Sequence, residues 1–264
     1  YFFNKGEKRE TFIAFENGFH GDTFGAMAVS GLSVYNGPFE DLLMDVKRIP
    51  TPNGSNTQEI IDSLKVLVST NKIAGFIYEP IVQGAAGMKI HDVNGLSDIL
   101  KFCKQNSILT IADEVMTGFG KTGKHFASDY IEIKPDIICL SKALTAGLIP
   151  MAITSCTQEI YNAFLSNDIG KGMFHCHTYC ANPLACSAAL ASIELLQTNT
   201  IQENIKCIVS SHKDFAAKIE QHPKVKSTRQ LGVIFALDLN TEMERYGSLR
   251  DKLLAFFMDN GVFL

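Results

Sequence analysis

The sequence predicts an α/β protein whose mostly parallel central sheet is flanked by helices. Short apolar runs at residues 73–81, 108–115 and 137–140 have the length and composition of buried strands. They alternate with segments at residues 57–71 and 96–103, whose apolar residues are three and four positions apart, as in helices that cover one face of a sheet. Strands and helices that alternate along the chain in this way are typical of parallel sheets.

The remaining elements are predicted from the same two patterns and from the residues that end them. Strands are predicted in short runs bounded by turn residues, at residues 11–15, 151–155 and 233–239. Helices are predicted at residues 22–29, 157–166, 205–219 and 248–260, and a further helix begins near Pro183. Thr157 and Ser248 are the predicted caps, and Gly261 is the predicted stop.

The length of the chain suits one large α/β domain and part of a second. Its 264 residues are predicted to form a large domain at residues 1–228 and the beginning of a smaller α/β domain at residues 229–264. The second domain is expected to open with the strand that follows Gly232.

Charge and hydropathy exclude several classes of function. The chain has 24 basic and 28 acidic residues, a net charge of −4 and no basic block, so nucleic acid is not an expected partner. No apolar run approaches the length of a membrane span, and the start Tyr1-Phe2-Phe3 lacks the layout of a signal peptide. These patterns indicate a cytoplasmic protein that acts on small molecules and has no membrane partner.

The seven cysteines, an odd number, argue against a disulfide framework. A zinc site is the alternative at residues 175–186, a segment with two histidines and three cysteines, but the paired C-x-x-C spacing of structural zinc sites is missing. We therefore expect no metal, and we expect thiols that are reduced and mostly buried.

Two of the predicted strands end on residues that can do chemistry, Asp113 and Lys142. In an open parallel sheet the ligand crevice lies at the carboxyl ends of the strands, so this carboxylate and this amine can face one ligand. The segment between them is long enough for one helix and two turns, as expected of neighbouring parallel strands. Pyridoxal phosphate (PLP) needs this pair, because a lysine forms a Schiff base with its aldehyde and an aspartate pairs with its protonated pyridine nitrogen.

A nucleotide-binding loop is the alternative from a different class of function. Residues 118–124, Gly-Phe-Gly-Lys-Thr-Gly-Lys, follow a strand and satisfy the pattern G-x-x-x-x-G-K. The next residue is His125, whereas that loop needs the hydroxyl of a serine or threonine for magnesium. Pro135 also interrupts any long helix that would follow the loop.

Five ordered blocks of the sequence resemble the class III aminotransferases, which are fold type I PLP-dependent transferases. The blocks are Asn17-Gly-Phe-His-Gly-Asp-Thr-Phe-Gly-Ala-Met, Glu79-Pro-Ile-Val-Gln-Gly-Ala-Ala-Gly-Met, Ala112-Asp-Glu-Val-Met-Thr-Gly-Phe-Gly-Lys-Thr-Gly, Leu140-Ser-Lys-Ala-Leu-Thr-Ala-Gly and Thr178-Tyr-Cys-Ala-Asn-Pro-Leu-Ala-Cys. The first two blocks look most like the branch of this family that acts in biotin biosynthesis. The family's subunits are longer, so the resemblance implies that the first domain lacks an amino-terminal part and that the second is cut at residue 264.

This resemblance implies a PLP site with named roles for several side chains. Lys142 is expected to hold the cofactor and to move protons, and Asp113 to bind its pyridine nitrogen. Phe19 is expected to stack on the ring and to contact the substrate, with His20 beside it in the same cofactor-binding block. The biotin branch often has tyrosine at the position of Phe19, so the stacking surface is kept here and the hydroxyl is missing.

The same resemblance implies a homodimer with shared active sites. Thr178 is expected to bind the cofactor phosphate of the neighbouring subunit, with His177 beside it. Cys176 is expected near the substrate, at a position where the biotin branch usually has glycine. The family's arginine for the substrate carboxylate is expected beyond Leu264.

The activity implied is a ping-pong aminotransfer in biotin biosynthesis, from S-adenosylmethionine to 8-amino-7-oxononanoate, giving 7,8-diaminononanoate. Ala85 replaces a glutamate that several α-amino-acid-dependent relatives have, which argues against ornithine-type donors. An ω-amino acid or polyamine donor and an intramolecular amine migration are the alternatives on the same scaffold. Glu79 is interpreted as a structural carboxylate at the end of a strand.

Overall fold

A computed structural model of the protein describes residues 1–31, 33, 36–242 and 247–263. Its strands in chain order are β1 (Thr11–Phe15), β2 (Val46–Ile49), β3 (Ile73–Tyr78), β4 (Val82–Gln83), β5 (Lys89–Ile90), β6 (Leu109–Asp113), β7 (Ile137–Leu140), β8 (Ile153–Cys156), β9 (Val225–Leu231) and β10 (Ile234–Leu239). The helices are α1 (Phe24–Val29), α2 (Thr57–Thr70), α3 (Val93–Gln105), α4 (Gln158–Asn162), α5 (Pro183–Leu196), α6 (Asn199–Ile219) and α7 (Ser248–Asp259).

Six strands form the central sheet in the order β2-β1-β3-β6-β7-β8. All neighbours are parallel except β7 and β8, which are antiparallel. The prediction of a mostly parallel sheet flanked by helices is therefore confirmed. In the register of β6 and β7, Asp113 lies opposite Cys139. The carboxyl end of β6 is thus next to the residues that follow β7, as the sequence predicts for Asp113 and Lys142.

The main hydrophobic core lies where α2 and α3 cover one face of the sheet. Ile60 and Leu64 of α2, and Leu96, Ile99 and Leu100 of α3, are buried against strand residues in one cluster. These positions are three and four residues apart along each helix, as the periodicity predicts. Each fully buried aliphatic side chain of this kind contributes about 1.5–3 kcal/mol, so the cluster fixes the sheet that positions the strand ends.

The hairpin of β9 and β10 packs against the main hydrophobic cluster. Leu231 and Ile234, which flank its turn, belong to the main hydrophobic cluster. On β9, Nε of Arg229 donates a hydrogen bond of 3.0 Å to the carbonyl oxygen of Gly87. The domain boundary predicted at residue 229 falls within β9, and it stays a prediction. None of the helices in the described ranges combines the length and the apolar composition that a bilayer crossing demands.

Several predictions of local structure are wrong. The segment between Asp113 and Lys142 contains a 3-10 helix, Ala127–Tyr130, and turns, instead of the crossover helix that was predicted. Gly247, and not Ser248, is the residue that caps α7. The thiols are not mostly buried either. All seven cysteines are free, but only Cys103 is buried, and Cys156, Cys176, Cys180 and Cys207 are exposed.

Candidate active site

Asp113 is held at the carboxyl end of β6 by contacts to both of its carboxylate oxygens. The backbone N–H of Val115 donates to Oδ1 over 3.1 Å, and Nδ1 of His20 lies 2.7 Å from Oδ2. Both side chains are buried, so water competes little for this contact. The carboxylate therefore has one orientation, which is fixed before any ligand binds at the strand ends.

The turn before α1 places Phe19 and His20 at the same edge of the sheet. The backbone N–H of His20 donates to Oγ of Ser30 over 2.9 Å, and that of Phe19 donates to Oε1 of Glu79 over 3.1 Å. Phe19 is 40% exposed, although the side chain of the next residue, His20, is buried. An aromatic ring is thus presented to solvent directly beside the buried pair of His20 and Asp113.

Glu79, just after β3, joins two loops of the site through backbone hydrogen bonds. Its Oε1 accepts from Phe19, and its Oε2 accepts from the N–H of Gly84 over 2.8 Å. Burial raises the pKa of the Glu79 carboxyl, and the two backbone donors oppose that shift. The interpretation of Glu79 as a structural carboxylate agrees with these contacts.

Lys142 begins a 3-10 helix, Lys142–Thr145, after the end of β7. Its φ of +47° lies in the left-handed region, which a non-glycine residue adopts only where its surroundings impose it. Those surroundings include Oγ of Ser141, which donates to the carbonyl oxygen of Met151 over 2.7 Å, and Oγ1 of Thr145, which donates to that of Ile149 over 2.6 Å. The lysine side chain is exposed.

An open cleft with a volume of about 770 Å³ lies beside Lys142. Its walls are mainly apolar, and they include Met88, Met116 and residues 233–235 of the hairpin. Two lysines, Lys121 and Lys142, are among the residues that line it. A cleft of this composition suits a ligand with an aliphatic chain and an anionic group, because each amine can form a charge-assisted hydrogen bond.

Cys176, His177 and Thr178 lie in an exposed segment between α4 and α5. His177 makes local hydrogen bonds: its Nδ1 accepts from the N–H of Tyr179 over 3.1 Å, and its own N–H points to Sγ of Cys180 at 3.3 Å. In the described part of one copy of the chain, no hydrogen bond joins these three side chains to His20, Asp113 or Lys142.

Neither alternative site gains support from the structure. Within the described part of the chain, no group of three or more His, Cys, Asp or Glu residues could hold a metal ion. The nucleotide-loop segment at residues 118–124 forms turns and is followed by the 3-10 helix, whereas a phosphate-binding loop opens an α-helix.

Glu114 is a structural residue of the site that the sequence did not reveal. It is fully buried, and its carboxylate accepts hydrogen bonds from Oγ1 of Thr117, the N–H of Ala127, and both the N–H and Oγ of Ser128. The residue next to Asp113 thereby closes the loop that contains Lys121. No signal separates Glu114 from an ordinary acidic residue after a strand, because its partners come from the far end of that loop.

A comparison with known families identifies the fold and its family. The family model of the class III aminotransferases matches residues 1–264, the whole chain.

The chain belongs to the class III aminotransferase family.

Two members of this family with the same function in their names are similar to the chain. The adenosylmethionine-8-amino-7-oxononanoate aminotransferase of Synechococcus elongatus is 40% identical over 93% of this chain and 59% of its own length. The crystal structure of the enzyme of that name from Methanocaldococcus jannaschii is 33% identical, with a TM-score of 0.89, over 99% of this chain and 62% of its own. The chain thus spans about three fifths of these class III aminotransferases.

A third similar structure is that of an amine transaminase with its cofactor bound. An amine transaminase from an uncultivated Pseudomonas species, solved in its PLP-bound form, is 28% identical with a TM-score of 0.89. It matches 99% of this chain, and the match covers 64% of that protein.

Proposed function

We propose that this chain is the PLP-binding part of an aminotransferase that moves the amino group of S-adenosylmethionine to 8-amino-7-oxononanoate, giving 7,8-diaminononanoate for biotin biosynthesis. One observation supports the chemistry above all. Asp113 ends β6 with a fixed carboxylate, and Lys142 follows the adjacent parallel strand β7. The names of the similar proteins from Synechococcus elongatus and Methanocaldococcus jannaschii support the choice of substrates.

The residues at the strand ends fit PLP. Asp113 would accept a hydrogen bond from a protonated ring nitrogen, because its carboxylate is already oriented by His20 and the N–H of Val115. Phe19 offers an exposed aromatic face beside it. Lys142 offers an exposed amine on the neighbouring strand end. When bound, PLP supplies an electron sink for the carbon that loses its proton.

Lys142 is the proposed catalytic residue, with two successive roles. Its amine would hold the cofactor, and as a free amine it would move a proton to and from the reacting carbon of the donor. The second substrate reverses these steps and takes the amine. Ping-pong kinetics are therefore expected.

The cleft beside Lys142 is the proposed substrate site. The acceptor is a fatty-acid-like chain with a terminal carboxylate, and the cleft offers apolar walls and the second amine of Lys121. We assign Lys121 a second, supporting contact to a substrate carboxylate, in addition to the arginine that the family resemblance implies beyond residue 264, because Lys121 is one of the two lysines that line this mainly apolar cleft. Cys176 is proposed to narrow this pocket from the partner side.

A homodimer is proposed because the segment around Thr178 is apolar and uncovered. Phe174 is 75% and Tyr179 is 74% exposed on either side of Cys176, His177 and Thr178. Exposed aromatic groups of this kind are typical of protein interfaces. A second copy that covers them would bring Thr178 to the cofactor phosphate, with His177 beside it. The free thiols of the chain agree with the reducing cytoplasm as its location.

The deciding experiment is an absorbance spectrum of the full-length protein with PLP, followed by addition of S-adenosylmethionine. Conversion of the lysine-bound cofactor band into the pyridoxamine phosphate band supports the proposed half-reaction. Lys142→Ala is the control, because it removes the amine, and a lysine-bound band that persists in this variant would contradict the assignment.

The second candidate is an aminotransferase for ω-amino acids or polyamines. It is favoured by the similarity to a solved amine transaminase and by the missing hydroxyl at Phe19. Conversion of the cofactor band by β-alanine or putrescine, and not by S-adenosylmethionine, would select this candidate. Turnover without any second substrate would indicate an intramolecular amine migration.

A further inference from the structure

The turn of the β9–β10 hairpin makes a backbone contact that only glycine allows. Gly232 lies in this turn with a φ of +59°. A Cβ atom added to it would lie 2.2 Å from the carbonyl carbon of Thr122, 2.3 Å from the amide nitrogen of Gly123 and 2.5 Å from the carbonyl oxygen of Lys121. These neighbours are all backbone atoms, so no side-chain rotation relieves the collision. Any residue larger than glycine must therefore displace the hairpin or the loop.

Hydrogen bonds fix both sides of this contact. The N–H of Val233 donates to the carbonyl oxygen of Lys121 over 3.0 Å, and Oη of Tyr130 donates to that of Thr122 over 2.7 Å. Gly123 also has a positive φ, +89°, and a Cβ on it would lie 3.4 Å from Cα of Gly232. The hairpin turn and the loop at residues 121–123 are thus in direct backbone contact.

This contact joins two walls of the cleft beside Lys142. Lys121 comes from the loop, and Val233, Ile234 and Phe235 come from the hairpin directly after Gly232. The loop is closed at its far end by the buried carboxylate of Glu114. Because Glu114 fixes the far end of the loop, the distance between the Lys121 backbone and the apolar wall of the hairpin depends on how closely Gly232 approaches residues 121–123.

We infer that Gly232 is a positioning residue for substrate binding, which acts by holding Lys121 against the hairpin wall of the cleft. This inference rests on the proposed aminotransferase function and on the assignment of Lys121 to a substrate carboxylate. Gly232 itself has no side chain to touch a ligand. Its effect is therefore expected on the affinity for carboxylate substrates and not on the chemistry at Lys142.

The first test is Gly232→Ala in the full-length, PLP-loaded enzyme, assayed by steady-state aminotransfer from S-adenosylmethionine. We expect KM to rise about tenfold, the size of a lost charge-assisted contact, while kcat stays within about threefold. The absorbance of the lysine-bound cofactor should be unchanged. Gly54→Ala is the matched control, because Gly54 has a φ of +88° with nothing within 4 Å of an added Cβ. A KM within twofold of the wild-type value in Gly232→Ala would overturn the inference.

A double-mutant cycle with Lys121→Met separates positioning from general damage. If Gly232 acts through Lys121, Gly232→Ala should change KM less than twofold once the amine has gone. An equal, roughly tenfold change in both backgrounds would show that the effects are independent, and would overturn the inference.

A second variant covers the case in which Gly232→Ala does not fold. Tyr130→Phe removes only the hydroxyl that holds the carbonyl of Thr122, and it keeps the ring. We expect a smaller rise of KM, about threefold, with kcat unchanged, since one neutral hydrogen bond is lost. An unchanged KM in this variant would then count against the inference.

If the wild-type enzyme transfers no amine from any donor, the proposed function itself fails. If the wild-type enzyme turns over and the Gly232 and Tyr130 variants have unchanged KM values, only the role of Gly232 is refuted.

Discussion

His20 and Asp113 are 93 residues apart in sequence, and Nδ1 of the imidazole lies 2.7 Å from Oδ2 of the carboxylate. Both side chains are buried, and the other carboxylate oxygen accepts the N–H of Val115. The imidazole thus takes up one side of the carboxylate and leaves its remaining lone pairs for a ligand at the strand ends. An orienting partner of this kind fixes a binding group before the ligand arrives.

Replacing His20 with alanine is expected to weaken PLP binding. A hydrogen bond to a charged group contributes about 1.5 kcal/mol or more, so the cofactor Kd should rise roughly tenfold as Asp113 loses its fixed orientation. Titration of the full-length apoprotein, followed by absorbance, measures this. His125→Ala is the control, because His125 is exposed in the neighbouring loop. Equal affinities of the two variants would rule out an orienting role for His20.

Glu79 is expected to make stability depend on pH in an unusual direction. Burial raises the pKa of this carboxyl above its ordinary value of 4.5, so the folded protein binds the proton more tightly than the unfolded chain. The stabilisation is therefore complete below the ordinary pKa and is lost as the pH rises through the higher folded pKa. Glu79→Gln lacks this titration and keeps one acceptor oxygen.

We expect the wild-type protein to lose Tm relative to Glu79→Gln as the pH rises above about 4.5. Thermal unfolding of both proteins across this range provides the measurement. Glu16→Gln is a matched control, since Glu16 is an exposed carboxylate at the end of β1. A Tm difference for Glu79→Gln that stays constant with pH would contradict the expectation.

The strand ends that hold Asp113 and Lys142 could be predicted from sequence because both follow short apolar runs, and burial of such runs is a local property. Contacts between segments that are distant in sequence could not be predicted in this way, because no local pattern of residues indicates them. Glu114 is next to Asp113 but binds the amides of Ala127 and Ser128, so its burial depends on how the intervening loop folds. The same loop replaces the predicted crossover helix, since the glycines at 120 and 123 have positive φ angles that a helix does not allow.

β2 was not predicted because its short run contains two charged residues, Lys47 and Arg48. The guanidinium of Arg48 is satisfied by the carbonyl oxygens of Ala28 and Ser30, which makes a charged residue compatible with a strand in the sheet. The prediction of buried thiols was wrong for a different reason. Cys176 and Cys180 lie in the exposed segment that the proposed partner subunit would cover.

The proposed dimer predicts that two inactive variants complement each other. In a mixed dimer of Lys142→Ala and Thr178→Ala subunits, one site has both defects and the other has an intact lysine and an intact threonine. Refolding an equal mixture should therefore restore roughly a quarter of the wild-type activity, because about half of the dimers are mixed and each has one working site. Activity no greater than the mean of the two variants would refute a site shared between subunits.

Glu114→Ala is expected to be among the most destabilising substitutions in the chain. It removes the acceptor for two buried backbone N–H groups and two hydroxyls at once. Donors left unsatisfied in a buried place cost about 1–3 kcal/mol each, so the four donors together imply a loss of at least about 4 kcal/mol. Glu132→Ala, at an exposed position before β7, is the control and should change Tm little.

Glu114→Gln tests whether that carboxylate acts through its oxygens or through its volume. The amide has nearly the same shape, keeps one acceptor oxygen and replaces the other with a donor, which would face the N–H groups of the loop. An intermediate loss of Tm is expected if hydrogen bonding dominates, and almost none if packing does.

Because the loop closed by Glu114 contains Lys121, the same variant should also raise KM for carboxylate substrates while the cofactor absorbance at Lys142 is unchanged. A Tm and a KM both equal to those of the wild-type enzyme would show that the hydrogen bonds of the Glu114 carboxylate neither stabilise the loop nor position Lys121.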